Sequence, residues 1–183
     1  MSAALSIDIL GTIGSIGVQK RLVIHRIGQC VDQKDLPVFM PDFQVTQYNK
    51  TQTLVSGDVY FHEDFPNGWK ASVTVKNCDD FRPSATCRPF LDNIADSDIC
   101  TLLAASDTIY GSYLSYVRPK ARCPLLKGNY TVRNQPVEDD TTRFLPGSGI
   151  TYWDARIVGM VGERMVSCFV LQVIARPKKV RSQ

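Results

Sequence analysis

Six cysteines constrain this chain more than any other feature: Cys30, Cys78, Cys87, Cys100, Cys123 and Cys168. Their number is even and they are spread along the sequence. No Cys-x-x-Cys pair occurs, so the spacings of zinc sites and thioredoxin-type redox sites are absent. An even, dispersed set predicts disulfides, and disulfides predict an oxidising compartment. Spacing alone does not choose among the many pairings that six cysteines allow.

Other signals agree with the secretory route. Asn49-Lys50-Thr51 and Asn129-Tyr130-Thr131 are N-glycosylation sequons, which predict that Asn49 and Asn129 face solvent. Residues 2–18 are small and apolar, but Asp8 interrupts them and no basic residue precedes Lys20. Residues 1–20 therefore read as a leader, a degenerate signal peptide. No uncharged apolar stretch is long enough to span a bilayer. The expectation is a soluble secreted glycoprotein, with the lysosomal lumen as the alternative.

The chain has 183 residues, 44% of them hydrophobic and 21% charged, which suits one domain over 21–177 with a core and room for a ligand cavity. A formal net charge of +3 does not argue for nucleic acid. Arg176, Lys178, Lys179 and Arg181 crowd the end, with 178–183 as a basic tail. Such a tail is ordinarily solvated; contact with anionic lipid headgroups is the sharper reading.

Hydrophobic alternation dominates the rest. Arg21 to Cys30 is apolar and β-branched, and Val59 with Phe61 form one side of a strand. Asp42 to Thr53 reads as a polar loop. The cleanest strand sets Trp69, Ala71, Val73 and Val75 against Lys70, Ser72, Thr74 and Lys76. The turn Phe65-Pro66-Asn67-Gly68 predicts that this strand pairs with the Val59 strand as a hairpin. Cys78 to Pro89 reads as a loop. Asp96 or Ser97 would cap a helix over about 97–110 carrying Ile99, Leu102, Leu103, Ser106, Ile109 and Tyr110, with an extension through Tyr113, Leu114 and Val117. An extended piece follows through Tyr130 and Val132. A long hairpin closes the chain, with Trp153, Ala155 and Ile157 on one face of its first strand. Its last strand is apolar on both faces, which predicts cover on both sides. The fold class is mostly β: an antiparallel sandwich or cup with one helix.

The sequence carries little catalytic chemistry. His25 sits in a predicted strand, and His62 stands beside Glu63 and Asp64 with no nucleophile in a recognisable motif. Gly147-Ser148-Gly149 lacks the spacing of a nucleophile elbow and reads as a turn. Asp79-Asp80 and Glu138-Asp139-Asp140 read as solvated loop charges, which serve a glycosidase only if folding pairs two of them. No metal or cofactor is expected, and the chain reads as a non-enzyme.

Several landmarks stand together in order. They are Asn77-Cys78-Asp79 with Cys87, Asp98-Ile99-Cys100, and Cys123-Pro124-Leu125-Leu126-Lys127-Gly128-Asn129-Tyr130. Leu145-Pro146, a glycine hairpin and the late Cys168 follow. In this set the chain resembles the ganglioside-activator-like proteins of the ML lipid-recognition superfamily, including their insect relatives, over about Cys30 to Ala175. The resemblance implies a β-cup with an apolar cavity and bridges Cys30–Cys168, Cys78–Cys87 and Cys100–Cys123. The further bridge of the vertebrate activators has no counterpart between Cys100 and Cys123, so ganglioside specificity is not implied.

On that reading the protein sequesters or transfers a lipid or other apolar small molecule, and presents it at a membrane surface or to a receptor or hydrolase. Chemical sensing is a plausible use in insect-type relatives. Candidate lining residues are Trp69, Val73, Val75, Trp153, Ile157, Phe169, Leu171 and Val173, each equally suited to plain core. Phe81, Phe90 and Phe144 are candidates for the cavity mouth. Two rival readings remain: an extracellular interaction or signalling module with a filled core, and a secreted hydrolase working through carboxylates.

Overall fold

The computed structural model describes residues 19–49, 52–104, 115–137 and 145–178, without the side chains of 93–97 and 102. Outside these lie the expected leader, Lys50 and Thr51 of the first sequon, the helix positions from Ser106 to Leu114, the acidic run Glu138 to Asp140, Phe144, and the tail from Lys179.

The described chain is mostly β, in two antiparallel sheets with one short helix, consistent with a β-sandwich. The strands are β1 (Lys20–Gln29), β2 (Val38–Phe39), β3 (Gln44–Gln47), β4 (Thr53–Phe61), β5 (Lys70–Cys78) and β6 (Cys87–Asp98). Helix α1 (Ile99–Ala104) comes next, then β7 (Val117–Arg118), β8 (Gly128–Pro136), β9 (Thr151–Val161) and β10 (Arg164–Pro177). The larger sheet has the order β1-β10-β9-β5-β6, and the smaller has β2-β4-β8-β7 with β3 paired to β4.

Several details differ from the sequence reading. The segment 42–53 is not all loop, because β3 forms within it and pairs with β4 from Gln44↔Ser56 to Gln47↔Thr53. The Val59 strand and the Trp69 strand do not form a hairpin. β4 pairs with β8, while β5 pairs with β6 and β9. The Phe65–Gly68 turn instead carries the chain from one sheet to the other, pinned where Phe65 N–H donates to Leu125 O at 2.8 Å. β6 begins at Cys87, so the loop after Cys78 is shorter than expected and Asp96 and Ser97 are strand residues. The helix cap is Asp98, whose Oδ1 accepts from Thr101 N–H at 3.0 Å.

The three disulfides are Cys30–Cys168, Cys78–Cys87 and Cys100–Cys123, the pairing implied by the resemblance. The first joins the end of β1 to β10 across 138 residues, and the second closes the β5–β6 connection. The third ties α1 to the segment before β8. Disulfides of this kind belong to an extracellular or lumenal protein. Among the described residues no helix is long and apolar enough to cross a membrane.

On the β1–β2 side, residues 40–43 lace the sheets together. Met40 N–H donates to Gln29 Oε1 and Phe43 N–H to Ile27 O. Gly28 permits this approach, since a Cβ there would lie 2.9 Å from Asp42 Cα.

Candidate functional site

Paired residues of an antiparallel ladder share a face, so the register shows which side chains meet. Phe169 pairs with Ile157 and Ile157 with Val73. Leu171 pairs with Ala155 and Ala155 with Val75, while Val173 pairs with Trp153. Phe169 packs against the core cluster of Val38, Phe65, Trp69, Leu125, Tyr130 and Val166, which draws on both sheets. This face of the larger sheet therefore looks inward. The opposite face carries Lys70, Ser72, Thr74, Lys76, Asp154, Arg156 and Gln172.

All eight candidate lining residues fall on the inward side. Phe90 joins them as a strand residue rather than a loop residue, with its ring against Trp153 at 4.9 Å between centroids. Phe81 does not. It stacks on His25 at 4.8 Å and meets Tyr152 edge-on, and Tyr152 belongs to the outward set. Phe81 is thus an anchor for the 79–86 connection, set against His25 of β1 and Tyr152 of β9. Phe144 lies outside the described residues.

The inner face is not uniformly buried. At one end Phe61, Phe65, Trp69 and Tyr130 interlock, with Phe65 edge-on to Phe61 and stacked on Trp69 at 5.3 Å. Phe65 is wholly buried. At the other end Trp153 and Ala175 are buried, and Trp153 Nε1–H donates to Thr151 Oγ1 at 2.8 Å. Beside them the Lys20 ammonium donates to the carbonyls of Leu145 and Pro146, and burial lowers its pKa. Between the ends, Val73, Val75, Ala155, Ile157, Leu171 and Val173 are only half-buried, although they lie in inner strands of the sheet. Leu22, Ile24 and Ile27 of β1 extend this belt and share its partial exposure. Sequence reading had not selected them; the alternation of Leu22 and Ile24 with Arg21 and Val23 carries only a weak signal, because Val23 is apolar too.

Among the described residues, two depressions open on the outer face. One, of about 340 Å³, is bounded by Gly68, Lys70, Ala71, Ser72, Met160 and Gly162. The other, of about 200 Å³, lies beside the Cys30–Cys168 bridge. There Arg156 donates both guanidinium nitrogens to Asp32, at 3.1 and 3.0 Å, and this hydrogen bonding holds the Asp32 carboxyl below the usual range.

Among the described residues weighed as catalytic, Glu63, Asp64 and Asp80 are engaged by neighbours. Glu63 pairs with Arg164, which lowers its pKa, and Asp64 accepts from Lys127 N–H at 2.6 Å. Asp80 pairs with Arg82. His62 is exposed beside them. Among the described residues no group of three His, Cys, Asp or Glu side chains is placed to hold a metal ion. Asn49 and Asn129 are both exposed. No family model matches the chain, and no significant match to a curated protein was found.

Proposed function

We propose that this protein holds a lipid or other apolar small molecule between its two sheets, as a member of the ML lipid-recognition class that its landmarks resemble. The observation that carries the reading is the half-buried apolar belt of Val73, Val75, Ile157, Leu171 and Val173, flanked by better-packed aromatic ends. Inner strands of a filled sandwich bury such residues fully. An acyl chain along the belt would leave water at roughly 0.8 kcal/mol per methylene. About a dozen methylenes gain near 10 kcal/mol gross, and association and ordering costs remove several of those. Affinity of about micromolar or tighter follows.

The disulfides and exposed sequons support a secreted glycoprotein that meets its ligand outside the cytosol, at a membrane surface or with a receptor. Native mass spectrometry of the secreted protein after exposure to mixed lipids tests the reading. A one-to-one complex with an apolar molecule is expected. Absence of both co-purifying lipid and uptake of a fluorescent fatty acid overturns it and favours the interaction module with a filled core.

A further inference from the structure

The two tryptophans differ in one respect that bears on what enters the interior. Trp153 Nε1–H has an acceptor in Thr151 Oγ1. Trp69 Nε1–H has none: it is the one buried side-chain polar atom without a hydrogen-bond partner among the described residues. Trp69 is only 5% exposed. Buried donors are almost always paired, and leaving one unpaired costs about 1–3 kcal/mol. The neighbouring Tyr130 hydroxyl follows the rule and donates to Leu126 O at 3.1 Å. The rings of Phe61 and Phe65 beside the indole offer at best a weak acceptor.

The indole is firmly placed. A Cβ at Gly159 would collide with Ser167 Oγ and stand 3.0 Å from Trp69 Cζ3 and 3.3 Å from Cε3. The benzo edge of the ring therefore rests over Gly159, where only glycine leaves room. Nε1 sits on the pyrrole side of the ring, the side away from Gly159. The core cluster to which Trp69 belongs is apolar, made of Val38, Phe65, Leu125, Tyr130 and Val166, with Val59 and Phe61 packed against it. A carboxylate brought there would be an unpaired buried charge, whereas a neutral carbonyl would only exchange one hydrogen bond for another.

We infer that the ligand is a neutral long-chain carbonyl compound, a ketone, aldehyde or ester, whose oxygen accepts the Trp69 Nε1 hydrogen while its chain lies along the half-buried belt. This rests on the proposed function and adds the class of ligand to it. A pure hydrocarbon leaves the donor unpaired, and a fatty-acid anion brings an unpaired charge.

The test uses the full disulfide-bonded chain and displacement of a fluorescent naphthylamine probe by three competitors of equal length: a methyl alkyl ketone, the corresponding terminal alkene and the corresponding carboxylate. The ketone should bind about 5- to 10-fold more tightly than the alkene, as one neutral hydrogen bond allows. In Trp69→Phe that advantage should vanish, so that ketone and alkene bind equally well. The chain has two tryptophans, so isotope-labelled protein shows two indole N–H resonances. The ketone should move the Trp69 resonance downfield, leave that of Trp153 in place and slow exchange only at Trp69, a readout that requires no variant to fold. Equal affinity for ketone and alkene with an unmoved Trp69 resonance overturns this inference alone, and the donor then bonds an enclosed water. Tighter binding of the carboxylate overturns it as well. Failure of all three competitors overturns the lipid reading and this inference with it.

Discussion

Two stretches of one sheet face are built from the same kinds of residue and are packed differently. Around Trp69 the interior is the more closely packed, with Phe65 and Val166 wholly buried. A few residues along, Val73, Ile157, Leu171 and Val173 keep part of their surface open. The strands do not make this difference, since all alternate in the same way. Connections make it. Phe65 lies between β4 and β5 and Leu125 lies before β8; the two are bridged to each other and reach into the sandwich from its rim. Alternation selects the face, and large side chains on the connections decide which part of the space behind it is filled.

The largest expected effect is at the filled end. Phe65→Ala should cost about 3–5 kcal/mol, because it removes a wholly buried ring. Leu171→Ala should cost less than half as much, about 1–2 kcal/mol, since its side chain is already part-exposed. Urea unfolding of both variants measures the contrast, and equal costs would break it. Gly159→Ala comes next, at about 1–3 kcal/mol, because the added methyl meets Ser167 and the Trp69 ring. Its melting temperature should fall, and the near-ultraviolet circular dichroism of Trp69 should change. Leu171→Trp sharpens the comparison from the other side. Added volume at a filled position costs about 1–3 kcal/mol; in the belt it should cost under about 1 kcal/mol and lower lipid uptake severalfold. A large stability loss with unchanged uptake would mean that the belt is packed.

The same comparison shows how far the sequence could be read. The alternation from Trp69 to Val75 and from Trp153 to Ile157 was legible, and with it the inward face, because a period of two is a local property. The sheet partner of that alternation was not. The Pro66-Asn67-Gly68 turn looked like a hairpin, yet it changes sheets, and only the distant bridge between Phe65 and Leu125 reveals that. Phe90 was misplaced for a related reason. Pro89 suggested a loop, but β6 is an edge strand and irregular here, with a register shift between Val75 and Lys76, and an edge tolerates proline. The placement of Phe81, a candidate for the cavity mouth, was not legible because its partners, His25 and Tyr152, come from strands far apart in sequence. The unpaired donor of Trp69 had no sequence signal at all, since Trp69 and Trp153 sit in similar alternations and differ only in whether an acceptor stands nearby.

The smallest effect expected concerns the outer face, above the belt. Arg156 holds Asp32 from the side of β9 that looks away from the interior, and both side chains are substantially exposed. The Arg156 hydrogen bonds keep the Asp32 carboxyl below its ordinary pKa. A depressed carboxylate pKa stabilises the fold fully above the unfolded value, about 4, and that contribution fades as pH falls through the lowered folded value. The pair should therefore remain intact in a mildly acidic lumen and weaken only below about pH 4. Solvent screening keeps its worth below about 1 kcal/mol. Asp32→Asn should flatten the stability profile below about pH 4 by that small amount and leave lipid uptake unchanged at every pH, because the belt lies on the opposite side of the sheet. Parallel loss of uptake in wild type below that pH, removed by Asp32→Asn, would show that the two faces are coupled, and the division between a stabilising exterior and a ligand-holding interior would fail.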